Sequence, residues 1–199
     1  MIFFVTLIFS VILHEVMHGW VAEKLGDPTA RSLGRITLKP GPHIDPLGTI
    51  LLPALFIVPA LLTGSSPGAF IAWAKPVPVN PMYFKEPKKD MALVALSGPA
   101  TNIGIAIIFA LLYNTFLPFP VITEIIFINL FLALLNLIPL PPLDGSKVIS
   151  IVLSDEAAFR FQSIGQMGIF FLFFLLMVTP LGNILRSFSV YLMRMLGVF

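Results

Sequence analysis

The chain has 199 residues, of which 57% are hydrophobic and 11% charged, with a formal net charge of +2 and no cysteine. Charge this far below the ~25% of soluble domains excludes an ordinary water-soluble globule, and so small a net charge leaves no footprint for nucleic acid. The absence of cysteine excludes disulfides, thiolate ligands and a cysteine nucleophile, so any metal must be held by histidine and carboxylate.

Several apolar runs reach transmembrane length. The first predicted helix covers residues 2–24, and Gly26-Asp27-Pro28 stops it. Its opening stretch, MIFFVTLIFSVIL, has no charged side chain and lacks the basic start of a cleaved signal, so it is expected to remain in the protein. It leads directly into His14-Glu15-Val16-Met17-His18. Residues four apart on a helix share a face, so both imidazoles can reach one metal ion, with Glu15 beside them as general base for a water. Ionisable side chains are costly in hydrocarbon and usually line a functional cavity there. Motif and setting together imply hydrolysis carried out within a membrane.

Residues 29–45 mix polar and β-branched residues with Gly and Pro, which predicts short strands or a hairpin near the membrane surface. Residues 47–62 are an apolar helix that Pro53 and Pro59 should kink or shorten. The stretch 64–80, GSSPGAFIAWAKPVPVN, has too much proline for a helix and too many apolar residues for a free loop. Lys24, Arg31, Arg35 and Lys39 precede this region, and Lys75, Lys85, Lys88 and Lys89 follow it. The positive-inside rule puts both clusters in the cytoplasm, so the apolar segment between them is expected to enter the membrane and return.

Helices are then predicted over 91–116 and 121–137, the second ending in NLIPLPPLDGSK. A polar segment, 145–160, precedes a further span over 164–179. Pro180-Leu181-Gly182 breaks it, and residues 183–199, with Arg186 and Arg194, make an interfacial or short final helix. The expected fold is an all-α polytopic membrane protein, a bundle of about five to six transmembrane helices with a short membrane-associated β-hairpin and a re-entrant segment. The chain reads as one domain over 1–199, with a catalytic core over about 1–150 and C-terminal helices over about 160–199. Because the basic segment follows helix one, the active site is expected near the cytoplasmic leaflet of the cell membrane, with the N-terminus outside.

Two histidines need a third protein ligand. A histidine six residues past the second is excluded because that position is Lys24, and residues 34–44 contain no acid. The candidates are His43, Asp45, Glu124 and Asp144. Asp144 is the best of them: it closes an apolar helix in a Pro-rich turn before Gly145, with no basic partner nearer than Lys147. Glu124 would fall near the opposite membrane face, and His43 and Asp45 would reach the metal only if their segment folded inward.

With HEVMHGW at 14–20, SGPATN at 97–102 and NLIPLPPLDG at 136–145, the sequence resembles the site-2 protease family of intramembrane zinc metalloproteases. The resemblance implies one zinc ion per chain held by His14, His18 and Asp144, with Glu15 as base and proton shuttle. It implies that Asn136 helps hold substrate or the oxyanion, and that Gly98, Pro99 and Asn102 shape close helix packing, with Asn102 a further candidate for the cleft. The polar segment 29–45 would be the family's hairpin, pairing with an unwound substrate strand. Neither a PDZ-like domain nor a nucleotide-binding module is expected, which makes this a compact member. A gating or substrate-binding role is left to His43 and Trp73 as conjecture. The partners implied are the lipid bilayer and single-span membrane-protein substrates. The competing readings are a zinc-binding membrane transporter and a catalytically inactive scaffold; Glu15 discriminates, because a transport site has no need of a base beside its ligands.

Overall fold

The computed structural model describes residues 2–64, 73–115, 119–165 and 167–198. Three long helices organise it: α1 (Ile2–Lys24), α4 (Pro87–Thr115) and α5 (Pro120–Asn136). Between α1 and α4 lie α2 (Thr29–Ser32) and α3 (Leu52–Thr63), the latter entered through a wide turn, Pro46–Leu51. Short helices α6 (Asp144–Ile149) and α7 (Asp155–Gln162) follow α5, and α8 (Met167–Val178) and α9 (Leu181–Met195) complete the chain.

The long helices start where their sequences allow. Pro87 and Pro120 open α4 and α5 at positions whose N–H would be unpaired in any helix. Asp45 caps the wide turn by accepting from the Leu47 and Gly48 N–H groups. Pro53, whose ring would crowd the carbonyl of Thr49 in a regular helix, lies just beyond that turn.

α1, α4 and α5 pack on one another, with α6 against α4 and α9 against α5. Small residues line the buried face of α4, including Ala92, Ala95, Gly98, Ala106 and Ala110. In lipid, where apolar side chains gain little by leaving their surroundings, such residues let backbones approach closely enough for dispersion to hold them. One apolar cluster, built on Ala106, Ala110, Ile126, Leu130, Met193 and Val198, ties α4, α5 and α9 together. A second, around Ala22, Phe84 and Val94, closes the other end of the α1–α4 contact. Outside, Phe4, Ile8, Ile107, Leu111, Phe170 and Phe174 are exposed, an apolar coat suited to lipid.

Among the described residues, two helices are long and apolar enough to cross a bilayer: 22 residues of α1 and the 29 of α4. At ~1.5 Å per residue each exceeds the ~30 Å hydrocarbon core. α7 and α8, bent by 68° at a short break, make a third if taken as one span. α5, at 17 residues, is an apolar helix of shorter length.

The expected hairpin over 29–45 is not there; no strand is found among the described residues. Residues Thr29–Ser32 are helical, Gly34 turns the chain with φ +64°, and Gly41–His43 form a 3-10 turn. The physical reason lies in the donors: Pro40, Pro42 and Pro46 remove the N–H groups a ladder would need. The neighbouring backbone at 75–76 is held by the side chain of Arg35 instead, which donates to the Lys75 and Pro76 carbonyls at 2.7 and 3.1 Å. The expected re-entrant segment falls partly on residues 65–72, outside the described residues. Its described part runs through α3 and resumes over 73–80 as chain without helix or strand. The polar segment expected over 145–160 is two short helices, α6 and α7.

Asp27, fully buried, joins this linker to the returning strap: it accepts from the Thr29 N–H at 2.9 Å and the Asn80 N–H at 2.7 Å. Asp27→Ala leaves both donors without a partner. Each such loss costs about 1–3 kcal/mol when buried, so a lowered midpoint of thermal unfolding in detergent is expected, with Asp27→Asn retaining part of the stability.

Candidate metal centre

Ser10, His14 and His18 recur every four residues and form one stripe on α1. Val94, Gly98 and Asn102 form the facing stripe on α4. A Cβ on Gly98 would sit 2.5 Å from His14 Nε2 and 2.6 Å from His18 Cε1, so only glycine leaves the imidazoles their room. Asp144 arrives from the other side, at the head of α6. Gly145 makes that turn possible, since a Cβ there would meet the Leu137 carbonyl oxygen at 2.3 Å.

His14, His18 and Asp144 are all buried, and their ligand atoms lie within 4.8 Å of one another. Asp144 Oδ2 is 3.0 Å from His14 Nε2 and 3.1 Å from His18 Nε2. The far side of each ring is committed. His14 Nδ1 donates to Asn102 Oδ1 at 2.6 Å, and His18 Nδ1 donates to the Val94 carbonyl at 2.7 Å. Those partners are oxygens that can only accept, so each Nδ1 must keep its proton.

This makes the Nε2–Oδ2 contacts informative. They are hydrogen bonds only if both rings are doubly protonated, which would set two buried cations with ring centroids 4.6 Å apart. With the rings neutral, two nitrogen lone pairs and a carboxylate oxygen converge on one place. A divalent cation satisfies that arrangement, and two imidazoles with one carboxylate are a donor set suited to zinc. Burial works against charge on Asp144, and the neighbouring Lys147 ammonium works in favour of it. Lys147 Nζ lies 2.9 Å from Oδ1, leaving Oδ2 to face the histidines.

Glu15 points into the same cleft, a cavity of about 280 Å³ that His14, His18, Asn136, Asp144 and Lys147 also line. Pro76, Val77 and Val79, from the strap over 73–80, line it as well. The Val77 N–H donates to Glu15 Oε2 at 2.8 Å, so the strap orients that carboxylate directly. Asn136 lines the cleft, with its amide donating to the Leu132 carbonyl of its own helix at 3.0 Å.

The structure thus brings His14, Glu15, His18, Asn136 and Asp144 together. Asn102 is elsewhere: fully buried behind His14 rather than in the cleft. His43 is not among the cleft residues; its Nε2 donates to the Thr37 carbonyl at 2.8 Å and its own carbonyl accepts from Lys75 N–H at 2.9 Å, bracing the strap. Trp73 packs its indole over Gly48. Asp45 caps a helix, and neither it nor Glu124 joins a ligand group among the described residues. Sequence reasoning named Lys147 as the nearest basic residue to Asp144 but did not pair the two, although the i, i+3 spacing signalled it. It also missed Val77, for which no local signal exists.

The chain belongs to peptidase family M50, whose profile matches residues 2–125 and 118–178. It is 38% identical over 192 residues to YwhC of Bacillus subtilis, a match covering 90% of this chain and 81% of that protein. To Rip2 of Mycobacterium tuberculosis it is 29% identical over 197 residues, covering 95% of this chain and 71% of that one. MJ0611 of Methanocaldococcus jannaschii shares 47% identity over 60 residues, 28% of this chain and 31% of its own. All three bear the name of a zinc metalloprotease. No solved structure matches the chain. With two helices of spanning length, this is a membrane-located member of the family.

The glycine at the centre gives a direct test. Gly98→Ala is expected to abolish metal binding, measured as metal content after purification in detergent. Gly104→Ala, on the same helix with nothing within 4 Å of its Cβ, should bind as the unaltered protein does.

Proposed function

We propose that the chain is an intramembrane zinc metalloprotease that hydrolyses peptide bonds within or near the transmembrane segments of single-span membrane proteins. The observation that supports this reading above all is the convergence of two imidazoles and a carboxylate beside a separate carboxylate, Glu15, in one cleft. Zinc, when bound by His14, His18 and Asp144, supplies a Lewis acid that acidifies water and polarises a carbonyl.

The remaining work falls to side chains and backbone. Glu15, aimed by the Val77 N–H, takes the proton of the attacking water and later returns it to the leaving amine. Asn136 offers its amide to the carbonyl oxygen of the scissile bond. Lys147 holds Oδ1 of Asp144, so that carboxylate presents a single oxygen toward the ligand site. The strap over 76–79 helps line the cleft, setting Val77 and Val79 beside the polar groups of Glu15, Asn136 and Asp144.

In this reading residues 1–199 form one domain with its catalytic core over about 1–150. α5 and the α7–α8 pair join α1 and α4 as membrane-crossing elements, giving a multi-pass protein in the cell membrane. The basic residues after α1 place the cleft near the cytoplasmic leaflet. Reporter fusions after residue 39 and residue 89 should both report the cytoplasm; a periplasmic or extracellular signal would reverse the topology.

The catalytic reading is tested by incubating the protein in detergent micelles with a single-span model substrate, with zinc content measured in parallel. Cleavage within the span is expected for the unaltered chain. Glu15→Gln should retain zinc and lose cleavage by at least the ~10²-fold typical of a general base. Cleavage that survived in a zinc-loaded Glu15→Gln protein would remove Glu15 from the chemistry.

A further inference from the structure

Behind His14 lies a chain of amides that nothing in the reaction itself requires. Asn102 Nδ2 donates to Asn129 Oδ1 at 2.8 Å, and Asn129 Nδ2 donates to Ser10 Oγ and to the Ile125 carbonyl, both at 2.9 Å. Asn102 Nδ2 also faces the Ser10 carbonyl at 3.5 Å. Asn102 and Asn129 are fully buried, and Ser10 is nearly so. The three residues come from α4, α5 and α1 respectively, so the chain of bonds crosses the whole helical core.

Its direction is fixed chemically. A backbone carbonyl can only accept, so the end of Asn129 that faces the Ile125 carbonyl must be its NH2. Asn129 therefore turns its oxygen to Asn102. Asn102 must answer with its own NH2, an orientation the Ser10 carbonyl reinforces, and its oxygen is left facing His14. An acceptor there holds the proton of His14 on Nδ1 and leaves the Nε2 lone pair toward Asp144.

We propose that Asn129, with Ser10, is a positioning pair that sets the tautomer and ring orientation of His14 through Asn102. It never touches the ligand site. This rests on His14 being a zinc ligand, as in the function proposed above. His18 has no such relay: its Nδ1 donates to a backbone carbonyl that cannot flip, which makes it an internal control.

The chain has only three histidines, so their ring nitrogens can be followed individually by ¹⁵N NMR of the full-length protein with labelled histidine. The same samples give zinc affinity by chelator competition. With Asn129→Leu, zinc should bind more weakly, by no more than the ~10–100-fold that losing the direct partner of a ligating histidine costs. After chelation, His14 should show mixed tautomers while His18 keeps its proton on Nδ1. Ser10→Ala, a change too small to threaten folding, should move both readouts in the same direction by less.

Unchanged zinc affinity and an unchanged His14 tautomer in both variants would overturn the proposal. So would parallel loss at His14 and His18, which would mean general disruption of the core rather than positioning. The underlying ligand assignment fails separately: in that case His14→Ala in the otherwise unaltered chain would bind zinc as the parent does.

Discussion

The distance between α1 and α4 at Gly98 is what the site is built on. Two imidazole rings occupy the space where a side chain on α4 would otherwise be, and the helices are close enough for the Val94 carbonyl to reach His18 and for Asn102 to reach His14. Water would compete for each of these bonds on a protein surface. In a buried layer between two membrane-length helices it does not, so the bonds both satisfy the polar groups and fix the spacing of the helices. Close packing and ligand orientation are therefore one constraint seen from two sides.

That layer has a consistent vertical order. Apolar clusters lie at either end of the core, one around Ala106, Ile126 and Met193 and the other around Ala22 and Val94. Between them sit Ser10, His14, Asn102 and Asn129, then His18 and Asp144, with the open cleft on the side of the strap. A half-satisfied polar network in this setting would be worse than an apolar core. Each buried amide here is used at both ends, and donation runs from the His14 imidazole through Asn102 and Asn129 to a backbone carbonyl without a mismatch.

How much of this was legible in the sequence depended on range. His14, Glu15 and His18 were readable because their spacing is local and their apolar setting makes charge conspicuous. Asp144 was readable because a carboxylate at the end of an apolar helix, in a Pro-rich turn, has few reasons to be there. The long helices were readable to within a few residues, as hydropathy and proline punctuation set their ends. The hairpin expected over 29–45 misjudged turn chemistry: β-branched residues suggested strands, but the prolines had already removed the ladder donors. Asn129 and Val77 were not readable at all. Their partners lie 27 and 62 residues away, and an asparagine in an apolar helix or a valine between prolines announces neither.

The strap over 73–80 bears on how an extended peptide could enter. Without a hairpin beside the cleft, no strand edge among the described residues offers itself for pairing with substrate. The strap is adjacent, but Pro76 and Pro78 have no N–H, the Lys75 N–H is taken by the His43 carbonyl, and the Val77 N–H is taken by Glu15. Its Lys75 and Pro76 carbonyls are held by Arg35. Over residues 75–78 no N–H is left for a partner strand, and prolines of this kind are how edges are kept from pairing. The strap is better suited to walling the cleft and orienting Glu15 than to serving as a neighbouring strand. The chain thus walls its cleft with a segment that does not double as a strand edge, and what the cleft presents to an occupant is its lining of side chains, Asn136 among them.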